Sequence, residues 1–157
     1  MDHTVHVIDL MRWYSGSEVK EVYAEIGEPF YGLGIDDAGL LTLEFANGIV
    51  AGHDPSWSRP RGIFPTWGDV TLEVVGSDGA ARVDAFAQHM VEYTATVGHA
   101  VHRGWGDDPD FRMIFSFIDA IRHGHEPLVT GMDGLRATEV SLAAYESARL
   151  GKPVKVG

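Results

Sequence analysis

The sequence contains no cysteine. That excludes disulfides, a thiolate nucleophile and cysteine-ligated metal, and it fits a cytoplasmic protein. Basic residues are scarce: 12 lysines and arginines stand against 23 aspartates and glutamates, a formal charge of −11. So acidic a chain repels phosphate backbones and anionic lipid surfaces. The expected partner is therefore a neutral small molecule or another protein, not nucleic acid or a membrane. No apolar run is long enough to span a bilayer, and no basic-then-apolar leader is visible. Internal repeats and low-complexity tracts are lacking too. What is present, 157 residues of which 45% are hydrophobic, suffices for one domain with a core of its own.

Periodicity gives the order of elements. Asp2 can cap a helix from about residue 3 to Tyr14, with Gly16 as its stop. Val19 to Ile26 alternates as a strand. GEPFYGLGIDDAG is loop material. Leu41, Leu43 and Phe45 alternate with Thr42 and Glu44, and Asn47-Gly48 predicts a tight hairpin turn before the chain returns. DVTLEVV, AARVDAF and QHMVEYT read as further strands, and TVGHAVHRGWGDD as an irregular stretch. Asp108 and Pro109 then open a helix whose Phe111, Ile114, Phe115, Ile118 and Ile121 form a stripe expected to pack in the core. A last helix follows, capped by Thr130 and ended by Gly151 and Pro153, with Leu135, Val140, Leu142, Ala143 and Leu150 among its apolar positions. Helix, about five or six strands, then two helices is an α+β order. It predicts an open-faced, mainly antiparallel sheet with helices on one face. Leu40 beside Leu41 and Val74 beside Val75 put apolar residues on both sheet faces, so the open face is expected to be buried in a homodimer.

The opening MDHTVHVIDLMRWY carries the chemistry. Asp2, His6, Asp9 and Trp13 fall three or four apart and share a helix face. Carboxylates flanking an imidazole favour its charged form, which suits a general acid/base working on an alcohol or carbonyl. The same spacing also serves a helix cap with an exposed, salt-bridging histidine. Trp57, Arg59, Arg61, Phe64 and Trp67 decorate the loop after the hairpin. They either line a sugar-type pocket or fold onto the sheet or a dimer interface. His99-x-x-His102 and His123-x-His125 are expected to be solvated histidines and not a structural metal site. Asp133, Arg136, Glu139, Glu146 and Arg149 read as a solvated helix face with i,i+3 and i,i+4 pairs.

The segment D-x-x-x-H-x-x-D-L-x-R-W, with FANG, W-x-R-P, LEVVGSDGAARVD, DGLRATEVSLAAYES and G-K-P-V following in order, resembles the C-terminal domain of the glucose–fructose oxidoreductase/inositol dehydrogenase/rhizopine-catabolism (Gfo/Idh/MocA) family. The resemblance covers nearly the whole chain. It implies a substrate-binding and oligomerisation domain of an NAD(P)-dependent oxidoreductase of sugars or cyclitols. By the same resemblance His6 exchanges the hydroxyl proton, Asp2 orients His6 or binds a neighbouring hydroxyl, and Asp9 matches the motif's later aspartate. Asp9, Trp57 and Arg59 are the substrate-binding candidates. One departure is Thr4, where the family usually has glycine.

A second departure is larger. GLGIDDAG has the wrong spacing for a dinucleotide fingerprint and precedes a strand instead of a helix. Lys20, Lys152 and Lys155 do not match the family's Glu-Lys-Pro lysine. Residues 1–157 are therefore expected to be a single substrate domain without the Rossmann unit. Alone it is expected to be inactive and to bind no NAD or NADP, the cofactor of the complete enzyme. The chain would be an excised domain, a split reading frame or a free-standing module. The alternative function is a non-catalytic dimer that binds a polyol or serves as a scaffold.

Overall fold

The computed structural model describes residues 2–57, 70–85, 89–104 and 108–157, with the backbone alone at 2, 89 and 102–104. Three helices, α1 (Asp2–Ser15), α2 (Pro109–His123) and α3 (Gly131–Leu150), accompany eight strands. The strands are β1 (Val19–Gly27), β2 (Ala38–Phe45), β3 (Val50–His53), β4 (Thr71–Gly76), β5 (Gly79–Asp84), β6 (His89–Thr94), β7 (Ala100–Gly104) and β8 (Val154–Lys155). All pairings are antiparallel, in two four-stranded sheets ordered β3-β2-β1-β8 and β4-β5-β6-β7. The α+β class stands, with the strands shared between two sheets. The irregular stretch expected after Thr94 contains β7, whose Val101 pairs with Glu92. Its glycine and histidines hide the alternation.

The chain falls into two compact units. One holds α1, β1 to β3, α3 and β8; the other holds β4 to β7 and α2. In the first unit Val22, Ala24, Leu41, Leu43 and Phe45 of the sheet are buried with Ile8 of α1 and Ala137, Val140 and Ala144 of α3. A bulge between Val19 and Glu21 adds a residue to β1, which buries Val19 on the same core as Val22 despite their odd separation. The hairpin differs in detail from expectation. Gly48 N–H donates to the Phe45 carbonyl, so the turn centres on Ala46 and Asn47, and Gly48 follows with φ +89°. This is the three-residue loop with a glycine bulge. Asn47 is held there by side-chain donation to the Ser15 carbonyl and by the Ile49 N–H bonding its Oδ1.

Helix α3 corrects a second expectation. Its buried residues are Ala137, Val140, Ser141, Ala144 and Ser147, whereas Leu135, Leu142 and Leu150 are exposed. Small side chains let the helix backbone approach β1. At the closest point Ser147, fully buried, accepts from the Ala24 N–H at 3.0 Å and donates to the Lys152 carbonyl at 2.7 Å. One hydroxyl thus joins α3, β1 and the turn into β8.

The second unit departs furthest. The Phe/Ile stripe of α2 is exposed, with Phe111 at 62%, Phe115 at 54% and Ile121 at 67%, and Ala120 is the unit's one buried residue among those described. The helix forms where expected: Asp108 accepts from the Asp110 and Phe111 N–H groups and Gly124 closes it with φ +68°. An apolar stripe specifies a face that needs cover, and no described element of this chain supplies the cover.

Ser147→Ala should leave the buried Ala24 N–H without a partner and remove the bond to the Lys152 carbonyl. The expected cost is about 1–3 kcal/mol of unfolding free energy, read as a lower urea midpoint at unchanged m-value. A loss below about 0.5 kcal/mol, the usual size of a neutral surface change, would show that the hydroxyl is dispensable.

Candidate functional site

The first unit contains two concavities. The first, of about 420 Å³, is walled by His3 and Thr4 of α1, by Asp36 and Asp37 before β2, by Trp57, and by Tyr145 of α3, over a floor that includes Leu41 and Ala144. Thr4, the residue that replaces the family's glycine, is buried in this wall.

Asp37 is 1% exposed. Its Oδ2 accepts from the Phe30 and Tyr31 N–H groups at 3.1 and 2.8 Å, which shapes the loop ahead of β2, while its Oδ1 has no partner. The Trp57 backbone N–H donates to the Asp37 carbonyl and its indole N–H to the Asp36 carbonyl at 3.0 Å. The Tyr145 hydroxyl donates to Asp36 Oδ1 at 2.8 Å. Burial first, then Asp36, pushes the Tyr145 pKa up to about 12, so the phenol stays protonated at neutral pH. Carboxylates, a phenol and an indole on one concave wall form a surface that can bond hydroxyls and stack against a ring.

The second concavity, of about 460 Å³, is lined by Asp9, Arg12, Trp13, Glu18, Leu128 and Asp133, among others. Arg12, 10% exposed, forms a fork to Glu18 with both bonds at 2.7 Å, and reaches Asp133 Oδ1 at 3.3 Å and Asp9 Oδ1 at 3.4 Å. The Arg12 hydrogen bond holds the Glu18 carboxyl below its usual range. Thr130 bonds, and then Arg12, do the same for Asp133. Asp133 is thus the capping-box partner of Thr130 and a strut to α1, not part of a solvated face. Arg136–Glu139 and Arg149–Glu146 do pair on the exposed side, as expected.

The residues predicted from sequence are dispersed over this framework. His6 is exposed on α1 and lines neither concavity. Asp2 opens α1, its side chain outside the described atoms. Asp9 is half-buried beside Arg12 in the second concavity; Trp57 is in the first; Arg59 lies outside the described residues. Arg61, Phe64 and Trp67 lie outside them as well, as does the His102 side chain. Asp36, Asp37, His3 and Tyr145 were not candidates. Their only sequence signal is an Asp-Asp pair closing a glycine-rich loop.

Buried His53 was missed as well. It ends β3 opposite Leu41, is 7% exposed, and its Nε2 has no partner. Burial drives its pKa down to about 4 against the opposing pull of Asp54, so the ring is neutral at pH 7.

Residues 1–82 match the GFO/IDH/MocA C-terminal domain. The whole chain is 33% identical to the uncharacterized oxidoreductase YrbE of Bacillus subtilis, covering 99% of this chain and 47% of the relative. It is 27% identical to the scyllo-inositol 2-dehydrogenase (NAD(+)) of the same organism, over 99% and 47% of the two chains. Its fold superposes with a TM-score of 0.80 on aldose-aldose oxidoreductase from Caulobacter crescentus, at 24% identity over 98% of this chain and 46% of that one. Fold and motifs together define an α+β domain. The chain belongs to the Gfo/Idh/MocA C-terminal domain family, and it spans about half the length of the curated relatives it matches. No helix among the described residues is long and apolar enough to cross a membrane.

His53 links stability to pH. The unfolded chain takes up a proton near pH 6.5, and the folded chain does not until about pH 4. Stability is therefore lost as pH falls through that window, by about 3 kcal/mol at most. Urea unfolding at pH 7 and pH 4.5 should show a smaller decline for His53→Leu than for the unsubstituted protein. Equal declines would show that His53 titrates normally.

Proposed function

We propose that this chain is the substrate-binding and dimerisation half of an NAD(P)-dependent oxidoreductase acting on sugars or cyclitols in the cytoplasm. One placement carries the reading: the turn of α1 that holds His3 and Thr4 in the wall of the 420 Å³ cavity leads directly into His6, which is exposed at the histidine position of the family's D-x-x-x-H motif. The names of two relatives, scyllo-inositol 2-dehydrogenase (NAD(+)) and myo-inositol 2-dehydrogenase, favour a cyclitol over an open-chain substrate.

The described residues do not fit a dinucleotide. Their sheets are wholly antiparallel and lack the strand–glycine loop–helix unit that seats a pyrophosphate. NAD or NADP would reach the reaction on another unit. This chain's part is the proton and the hydroxyls. The His6 imidazole, exposed and free to move, accepts the proton of the reacting hydroxyl, and Asp2, one turn earlier on the same face, orients it or bonds a neighbouring hydroxyl. Asp36, Tyr145 and Trp57, in the cavity that His6 does not line, offer further contacts to a ring and its hydroxyls. Asp9, which meets Arg12 through Oδ1 in the second concavity, and Arg59, outside the described residues, are the remaining substrate-binding candidates.

In the enzyme completed by its dinucleotide-binding unit, His6→Ala should lower kcat for cyclitol oxidation by about two to four orders of magnitude, the range lost with a positioned acid/base. KM should change little. Turnover within twofold of the unsubstituted enzyme would remove His6 from the reaction.

The dimer is proposed on the second sheet. Register places Leu72, Val74, Ala81, Val83 and Met90 on one face of β4 to β6, and none of them is buried. A second copy laid on this face would cover them. Val74→Asp at its centre should convert a dimer to a monomer in sedimentation equilibrium. A monomer before the substitution, or a dimer indifferent to it, would refute this interface.

A further inference from the structure

The end of α2 carries a cluster that the hydroxyl site does not use. Asp119 and His123 are one turn apart on the helix. Gly124 then takes a left-handed conformation, φ +68°, and its N–H and that of His125 both donate to the Ala120 carbonyl, at 2.9 and 3.2 Å. This reversal brings His125 back beside Asp119. His123 Nδ1 lies 3.1 Å from Asp119 Oδ1 and His125 Nε2 lies 3.2 Å from Asp119 Oδ2. The two rings are parallel within 3°, with centroids 6.4 Å apart. One donor atom from each residue lies within 4.8 Å of the others.

We propose that Asp119, His123 and His125 form a binding site for a divalent transition-metal ion of the zinc class. Two imidazoles and one carboxylate are the borderline donors such an ion selects, at about 2.0–2.2 Å from each. Donors closed around a tetrahedral ion stand a little over 3 Å apart, so the side chains need only small rotations, and as exposed or half-buried groups they can make them. The last carbonyls of α2 add the negative end of the helix dipole. Without metal, the His123 ring bonds the Asp119 main-chain carbonyl at 3.1 Å and the His125 ring bonds the Asp119 carboxylate at 3.2 Å, which holds the same arrangement; the ion replaces the protons on those ring nitrogens. Three protein ligands leave a fourth position to water. Bound metal would pin the segment after Gly124 to the last turn of α2.

The test is calorimetric titration of the chain with zinc chloride, with cobalt(II) as a spectroscopic reporter. One ion per chain should bind, cobalt should develop visible absorption of tetrahedral type, and zinc should raise the melting temperature. Asp119→Asn, His123→Ala and His125→Ala should each weaken binding by no less than the roughly tenfold that even an outer-shell change costs at metal sites. His99→Ala, outside the cluster, should leave it unchanged. The three histidines are exposed and Asp119 is half-buried, and circular dichroism verifies that the variants fold. Absence of saturable binding, or binding that survives His123→Ala and His125→Ala, would overturn the assignment.

Discussion

The first unit depends on how closely α3 lies against β1. Leucines at the contact would hold the helix farther from the strand. Here alanines and serines occupy the inner face, and the Ser147 hydroxyl reaches the β1 backbone. The approach has a chemical consequence. The row that brings Ala137, Ser141 and Ala144 inward also sets Tyr145 at the mouth of the cavity, where its phenol meets Asp36. Cavity volume and polar wall are both products of a helix face too small to fill the space.

Arg12 performs the complementary task for α1. A guanidinium with Glu18, Asp133 and Asp9 around it ties α1 to the start of β1 and to the first turn of α3. Its planar fork matches a carboxylate on two bonds at once, which a lysine could not do. With α1 fixed on both sides, Thr4 and Ile8 face inward and His6 faces out. The sign of the charge matters. Three carboxylates around one cation leave the second concavity with a net negative wall.

Much of the fold was legible because its signals are local. Asp108, Thr130, Gly124 and Gly151 cap their helices as read, since a cap is decided by a few adjacent backbone groups. What was not legible is set by distant partners. Of the apolar positions of α3, Val140 is buried and Ala143 packs on the core, whereas Leu135, Leu142 and Leu150 are exposed, because which apolar residues turn inward is decided by the strand opposite. The cavity walls come from residues 3–4, 36–37, 57 and 145, and only Trp57 was a candidate beforehand. Asp36 and Asp37 read as turn residues, which they also are. His6 and Asp2 entered through a motif, and periodicity alone does not separate a catalytic imidazole from a solvated one on the same helix face.

The second unit carries the same lesson to the surface. Its helix has good caps and an apolar stripe, yet Phe111, Phe115 and Ile121 remain more than half exposed, as does Val75 on the sheet. The described residues of this unit bury only Ala120. Apolar patterning records where burial must occur and is silent on which molecule provides it. Among the described residues nothing covers the α2 stripe. A dimer through the β4 to β6 face would satisfy the sheet and leave the stripe still to be covered, so the two surfaces are separate demands on the assembly.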